Sequence, residues 1–199
     1  MTNLTLNLET VNLTDEQYYQ LCIKNKNLRF ERNANGDLKI MPPAGDETSN
    51  RNAALTAQLW LWNENKELGI VFDSSGGFTL PNSAERSPDS SWILLEKWEQ
   101  IPPEEREKFS KICPDFVVEL MSPSDSLKAT QAKMQEYLDN GAKLGWLIDR
   151  KKKRVEIYRP GRDSVCDSTY REVEVLTNPS TLSGENILPG FVLKLAKIW

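Results

Sequence analysis

Residues 86–149 constrain the fold of this 199-residue chain more than any other segment. They contain two Pro-Asp pairs, Pro88-Asp89 and Pro114-Asp115, and each pair leads into an apolar run typical of a strand. The second run carries Glu119 in its middle, and a segment of helical pattern with Lys133 follows it. This order predicts two strands and a helix, with carboxylates held on the strands and a lysine on the helix.

Turn residues and hydrophobic periodicity predict the rest of the fold. An Asn-Gly pair at 35–36, between two alternating segments, indicates a β-hairpin. The predicted helices are 14–23, a second from 47 or 48 to about 67, and a third ending near 140 that Ser124 or Ser126 caps. The predicted hairpins are 28–32 with 38–41, 70–73 with 78–80 and 144–148 with 154–158. Further strands are predicted at 90–95, 116–121, 171–176 and 191–195, and a polar connection with a helical turn at 96–111. This order predicts one domain over residues 1–199, of the α/β or α+β class, with helices packed on a sheet.

Composition excludes several classes of function. No apolar run approaches the ~20 residues that span a bilayer, and the first residues lack the pattern of a signal peptide, so we expect a cytoplasmic protein that does not contact a membrane. Cys22, Cys113 and Cys166 are widely spaced, which argues against a zinc site or a disulfide framework. The chain has no histidine, so hydrolytic chemistry must use carboxylates, lysine and a metal ion. The net charge of −4 counts against nucleic-acid binding unless a basic cleft exists.

Glu119 is the most unusual residue of the predicted strands. Alternation places Asp115 and Glu119 on one face, and a buried carboxylate must be paired, hydrogen-bonded or bound to metal. Either it pairs with an arginine or faces solvent at the rim of the sheet, or it binds a cation. Asp89 and Asp115 each begin a strand, and on adjacent strands they would lie roughly 4–6 Å apart, close enough to share a hard cation.

Lys133 and Glu47 each allow a structural and a functional interpretation. Lys133 is either a solvated lysine one turn before Tyr137, or the ammonium group that stabilises negative charge during phosphodiester cleavage. Glu47 opens the first long helix, where an acidic residue complements the helix dipole. It is alternatively a further metal or water ligand.

These motifs together resemble a bacterial restriction-endonuclease family of the PD-(D/E)XK nuclease superfamily. The resemblance rests on Pro88-Asp89, on the run from Pro114 to Ser124, on Lys133-x-x-x-Tyr137 and on Gly145-Trp-Leu-Ile-Asp149. It implies a mixed central sheet flanked by helices, additional hairpins, and Mg²⁺-dependent DNA cleavage. Asp89 and Glu119 match the two acidic positions of the superfamily motif, whereas Met121 stands where the motif has lysine, and Lys133 is the candidate to replace that lysine.

The leading hypothesis is therefore a DNA endonuclease that acts as a homodimer. Asp89 and Glu119, with Asp115 or Glu47, would bind Mg²⁺ or, as a substitute, Mn²⁺. Arg86 and the basic turn at 151–154 are candidate phosphate contacts, although such a turn is also typical of a solvated hairpin tip. The alternatives are an inactive nuclease-fold module for DNA binding or protein interaction, and a metal-dependent hydrolase of small phosphate esters.

Overall fold

Five α-helices and thirteen strands form in residues 4–8, 10–123, 125–161 and 173–199, which the computed structural model describes. Ser124, Cys166 and the first residues of the strand predicted at 171–176 lie outside these ranges. The strands are β1 (Leu4–Leu6), β2 (Arg29–Arg32), β3 (Leu38–Met41), β4 (Gly69–Asp73), β5 (Phe78–Thr79), β6 (Glu85–Arg86), β7 (Ser90–Leu94), β8 (Phe116–Leu120), β9 (Leu144–Asp149), β10 (Arg154–Tyr158), β11 (Val173–Thr177), β12 (Thr181–Ser183) and β13 (Val192–Lys194). The helices are α1 (Asp15–Lys24), α2 (Asp46–Glu64), α3 (Leu95–Glu99), α4 (Pro103–Arg106) and α5 (Leu127–Asp139), and a 3₁₀ turn covers Leu195–Lys197.

A mixed six-stranded sheet, ordered β11-β10-β9-β8-β7-β4, supports the rest of the fold. Only the β8–β9 pair is parallel, and the other neighbours are antiparallel. Because strand residues alternate in direction, Val118 packs with Leu55 of α2 on one face, and Val117 packs with Tyr137 of α5 on the other. The mixed central sheet flanked by helices, expected from the sequence, is confirmed.

A second sheet, ordered β1-β3-β2-β6-β5, lies mainly in the first half of the chain. Its β2–β3 hairpin turns at Asn35-Gly36 as predicted, and Gly36 has a φ of +92°, which suits glycine. The preceding α1 begins close to the predicted position with a capping box at Thr14, whose hydroxyl accepts from the Gln17 N–H. The sequence was sufficient to predict the hairpin and the helix start, because the hydrogen bonds of each join residues close together in the chain.

The hairpin predicted from 70–73 and 78–80 is wrong. β4 pairs with β7 in the six-stranded sheet, whereas β5 pairs with β6 in the second sheet. The Gly76-Gly77 turn thus carries the chain from one sheet to the other. Phe72 and Phe78 flank this turn, and their rings pack edge to face with centroids 5.1 Å apart in the core between the sheets. The two segments are therefore held together by ring packing and not by the backbone hydrogen bonds of a hairpin.

The remaining predicted strands lie at or near their expected positions. β9 and β10 form the third predicted hairpin, and β11 extends it as an edge strand. The polar connection after β7 contains two short helices, α3 and α4. Within the described ranges, no helix has the length and apolar character needed to cross a bilayer.

Candidate active site

One rim of the six-stranded sheet brings Asp89 and Glu119 together. β7 and β8 are antiparallel with Ser90 opposite Val118, so Asp89, just before β7, lies beside the end of β8. The Asp89 N–H donates to the Val118 carbonyl at 3.0 Å, and the Leu120 N–H donates to Asp89 Oδ2 at 2.8 Å. Backbone hydrogen bonds therefore determine the relative position of the two acidic residues.

Asp89 is held by neutral donors. Asn52 of α2 donates from Nδ2 to Asp89 Oδ1 at 2.9 Å, in addition to the Leu120 N–H. Burial raises the pKa of Asp89 above its ordinary value, against the opposing effects of the Leu120 N–H and the Lys133 charge. The Asn52 Oδ1 atom is buried and accepts no hydrogen bond from the described residues. An unsatisfied acceptor thus lies next to a carboxylate whose charge is poorly compensated.

Glu119 is 8% exposed and contacts two side chains of α5. Its Oε1 lies 2.7 Å from Lys133 Nζ and accepts a hydrogen bond from the Tyr137 hydroxyl at 3.1 Å. Burial raises the pKa of Glu119 to about 7; Lys133 opposes the shift, and the negative charges of Asp89 and Glu31 add to it. Burial and the neighbouring carboxylates therefore disfavour the ionised form of Glu119.

Lys133 bridges two carboxylates. Its Nζ is 2.7 Å from Glu119 Oε1 and 2.7 Å from Glu31 Oε1. Burial lowers the pKa of Lys133, but the charges of Glu119 and Glu31 outweigh burial, so the net shift is upward and the ammonium group stays charged. Met121 instead packs against the apolar cluster beside α5. The helix lysine thus supplies the positive charge beside Glu119, whereas Met121, which also lines the cleft, supplies none.

Glu31 of β2 is a site residue that the sequence did not reveal. It is 1% exposed, and its Oε1 also accepts from the Ser87 N–H at 3.3 Å. Burial raises the pKa of Glu31, but the charges of Lys133, Arg86 and Lys39 prevail and lower it to about 2. In the sequence, Glu31 lies on the polar face of an alternating strand, a position typical of a solvent-exposed residue. Its burial depends on β6 and α5, which are distant in sequence.

Glu47 lies at the mouth of the site. Its side chain is 80% exposed and pairs with Arg51 one turn along α2. It lines the same cleft as Asp89 and Glu119 without contacting either. This position is compatible both with a helix-end charge and with a contact to a bound ion through water.

The expected proximity of Asp89 and Asp115 is wrong. Because β7 and β8 are antiparallel, the residue before β8 lies at the far end of β7. There Asp115 Oδ2 accepts from the Leu94 N–H at 3.0 Å, and Oδ1 is 3.0 Å from Lys143 Nζ and 3.4 Å from Lys97 Nζ. Each Pro-Asp pair therefore binds the last N–H of the neighbouring strand, at opposite ends of the same ladder.

The two predicted phosphate contacts differ in exposure. Arg86 is buried and donates to Glu136 at 2.6 Å, to the Arg32 carbonyl at 3.1 Å and to Asn33 Oδ1 at 3.0 Å, so its guanidinium group is already occupied. In the basic turn, residues 151–153 are exposed, whereas Arg154 pairs with buried Glu156 at 2.7 Å.

A cleft of about 1200 Å³ opens over this rim. One wall comes from the second sheet and includes Arg29, Glu31 and Lys39. The other comes from the six-stranded sheet and the start of α2, and includes Asp89, Glu119, Asn52, Glu47 and Arg150. Both carboxylates therefore line a polar cleft between the two sheets.

The residues at the rim fit a hard divalent cation. No group of three or more potential metal-ligating side chains surrounds a single point in the described ranges. Mg²⁺, however, is usually bound by one or two carboxylates and several waters, and Asp89 with Glu119 provides such a pair. The pKa of both carboxylates is raised, and the buried Asn52 Oδ1 accepts no hydrogen bond from the described residues. A cation with bound waters would therefore supply positive charge and hydrogen-bond donors that the site lacks.

A model of the Uma2 family, described as "Putative restriction endonuclease", matches residues 15–196. The chain belongs to the Uma2 family. The family expected from the sequence is therefore confirmed. Asp89, Glu119, Lys133 and Glu31 all lie within the part that matches the Uma2 model.

A solved structure supports the Uma2 fold. The chain is similar to a "putative nuclease belonging to DUF820" from Anabaena variabilis ATCC 29413, with a TM-score of 0.71 and 20% sequence identity. The likeness covers 94% of this chain and 97% of that one, and at this identity it concerns the fold alone. A search of curated proteins found no match.

Proposed function

We propose that this Uma2-family chain is a Mg²⁺-dependent DNA endonuclease that hydrolyses phosphodiester bonds in the cleft over the sheet rim. The observation that carries the proposal is the convergence of Asp89, Glu119 and Lys133, from three separate elements, at one accessible point. Two carboxylates and one ammonium group at one point form a set suited to metal-assisted phosphodiester cleavage.

In this proposal Asp89 and Glu119 bind Mg²⁺, for which Mn²⁺ can substitute. A bound ion would supply a water of lowered pKa and would polarise the phosphate. Asn52 and the Leu120 N–H keep the Asp89 carboxylate in place for this role. Tyr137 orients Glu119 in the same way.

Lys133 stabilises the negative charge that develops on the phosphate oxygens. Its ammonium group is preorganised by Glu31, whose low pKa keeps a negative charge beside it at neutral pH. Glu47, at the mouth of the cleft, is proposed to orient water around the ion. Asp115 is omitted from the metal site because its carboxylate already binds the Leu94 N–H and two lysines.

The proposed partner is DNA, and the proposed assembly is a cytoplasmic homodimer in which each copy cuts one strand. The competing candidate is an inactive nuclease-fold module that binds DNA or protein. The observation that favours it is Met121 at the usual lysine position. The two candidates differ in whether the carboxylate pair binds a cation and supports cleavage.

The test is cleavage of supercoiled plasmid by the purified protein in Mg²⁺, in Mn²⁺ and in EDTA, with Glu119→Gln and Asp89→Asn beside the wild type. We expect cleavage with either metal and none in EDTA or in the variants. Calorimetric titration with Mg²⁺ should detect binding to the wild type and much weaker binding to both variants.

Glu174→Gln is the matched control, because Glu174 is exposed on β11 outside the cleft and its removal changes the net charge equally. Plasmid cleavage by this control should equal that of the wild type. A wild type that neither cuts the plasmid nor binds either metal would leave the inactive module as the function.

A further inference from the structure

Two arginines in the cleft have no carboxylate partner among the residues that the structure describes. Arg29 and Arg150 both line the cleft, and neither forms an ion pair within this part of the chain. The arginines that do pair with carboxylates are Arg32, Arg51, Arg86, Arg154 and Arg159. Two guanidinium groups in one cleft are therefore not in direct contact with a carboxylate, although the charge of Asp89 acts on both.

Arg150 follows β9 and lies beside the end of β8. Its Nε donates to the Met121 carbonyl at 3.3 Å, which orients the side chain. Burial and the nearby charge of Arg51 lower the pKa of Arg150, and they outweigh the opposing charges of Glu47 and Asp89. A positive group in this position is stabilised by a bound anion.

Arg29 occupies the corresponding position on the other side of the carboxylates. One of its terminal nitrogens donates to the Ser74 carbonyl. Asp73 pairs with Ser90, so Ser74, one residue further, lies beside Asp89. The positive charge of Arg29 is also close enough to lower the pKa of Asp89, although burial outweighs it.

The charged groups thus follow the order of the strands along the rim. The end of β4 with Arg29 comes first, then Asp89 before β7, then Glu119 on β8, and finally Arg150 after β9. Neighbouring strands lie about 4.8 Å apart. The Arg29 guanidinium group lies at the end of β4 and the Arg150 guanidinium group at the end of β8, so about two strand spacings, roughly 10 Å, separate the two groups. This separation exceeds the width of a single phosphate group, whereas a polynucleotide offers phosphates in series.

We propose that Arg29 and Arg150 each bind a phosphate, on either side of the phosphate that reacts over Asp89 and Glu119, so that the substrate is a DNA strand lying across the rim. This inference rests on the proposed nuclease function and adds its binding determinants. Guanidinium groups suit the role because they bind phosphate through two parallel N–H donors. The carbonyls of Ser74 and Met121 hold the two side chains in place before the strand binds.

The test measures DNA binding separately from cleavage. Fluorescence anisotropy in Ca²⁺, in place of Mg²⁺, would compare a fluorescein-labelled dodecanucleotide with a labelled dinucleotide. We expect Arg29→Gln and Arg150→Gln each to weaken dodecanucleotide binding about tenfold and to reduce the slope of log K against log salt by about one. Binding of the dinucleotide, which has a single phosphodiester, should change little.

Arg159→Gln is the matched control. It removes the same charge after β10, at the opposite end of the sheet from Arg150, because β9 and β10 are antiparallel. Arg29→Lys and Arg150→Lys keep the charge and should retain most of the salt dependence; they also serve if a glutamine variant folds poorly. Equal dodecanucleotide affinities for Arg29→Gln, Arg150→Gln and Arg159→Gln would overturn the proposal, as would a wild type that binds both oligonucleotides equally.

The binding and cleavage results are distinguishable. Arginine-dependent binding without plasmid cleavage would reject the nuclease function and retain the two phosphate contacts. Plasmid cleavage with no effect of either arginine on affinity would retain the nuclease and reject the contacts.

Discussion

Lys133 shares one positive charge between Glu31 and Glu119, and the two carboxylates nevertheless differ in protonation. The pKa of Glu31 is held near 2, so Glu31 remains ionised at neutral pH and keeps its interaction with Lys133. Burial and the neighbouring negative charges raise the pKa of Glu119 to about 7. In the absence of a cation, Glu119 is therefore partly protonated near neutrality, and cation binding should release a proton.

Replacing Lys133 by Met should reduce the single-turnover rate of plasmid cleavage about 100-fold or more, because a preorganised charge is lost where negative charge develops. Mg²⁺ binding by calorimetry should persist, since both carboxylates remain. Lys128→Met is the control, because Lys128 is exposed on the same helix. An unchanged cleavage rate for Lys133→Met would assign Lys133 a purely structural role.

The raised pKa of Glu119 predicts how stability depends on pH without metal. Its pKa rises from 4.5 to about 7 on folding, so the protonated form is favoured in the folded state. The stabilisation is complete below pH 4.5 and is lost as pH rises through 7, by up to about 3 kcal/mol. Urea unfolding in EDTA at pH 5 and pH 8 should show this loss in the wild type and a smaller one in Glu119→Gln. Equal losses in both proteins would contradict the assignment.

At the scale of elements, α2 and α5 approach the rim from opposite faces of the sheet. α5 contributes Lys133 and Tyr137 to Glu119, whereas α2 contributes Asn52 to Asp89. Each acidic residue is therefore positioned by a different helix, and the two positions can be altered separately.

Removing the Asn52 side chain should weaken Mg²⁺ binding 10–100-fold, because the Asp89 carboxylate loses the donor that orients it. The plasmid cleavage rate of Asn52→Ala should recover at high Mg²⁺. Asn50→Ala, an exposed position on α2, should leave the Mg²⁺ affinity unchanged. A variant whose cleavage stays low at saturating Mg²⁺ would show that Asn52 acts on the reaction itself.

The pairing of β4 with β7 requires glycine at position 69. A Cβ there would lie 2.2 Å from the Ile93 carbonyl oxygen and 2.4 Å from the Trp92 ring. Gly69→Ala should therefore lower the free energy of unfolding by about 1–3 kcal/mol or more. Gly45→Ala is a comparison without a steric clash, since its Cβ would meet no atom within 4 Å, and it should cost only the poorer N-cap that alanine gives α2. Similar urea midpoints for the two variants would indicate that β4 shifts freely.

At the scale of the whole molecule, cation binding should raise the stability of the folded chain, because the rim assembles only on folding. Mg²⁺ should raise the thermal midpoint by about 2–4 °C for each kcal/mol of linked binding free energy. Differential scanning fluorimetry of the wild type and Asp89→Asn would measure the shift. A shift of equal size in Asp89→Asn would place the bound cation elsewhere.

The sequence predicted those site residues that are chemically unusual in their local pattern. Asp89 follows a proline at a strand start, Glu119 interrupts an apolar strand, and Lys133 lies on the next helix. Glu31 and Asn52 were missed because their burial and contacts depend on elements distant in sequence. The same reason explains the wrong hairpin at 70–80, where competing partners in two sheets determine the pairing of each strand.

The two Pro-Asp pairs give the β7–β8 ladder an approximate two-fold symmetry. Asp89 and Asp115 each accept the last N–H of the opposite strand, but lysines neutralise Asp115, whereas Asp89 faces the cleft. Asp115 therefore makes the same strand-end hydrogen bond as Asp89, the candidate catalytic carboxylate, but lies outside the cleft. Asp115→Asn should therefore lower the free energy of unfolding more than Asp89→Asn does without metal, because only Asp115→Asn also breaks contacts with two lysines.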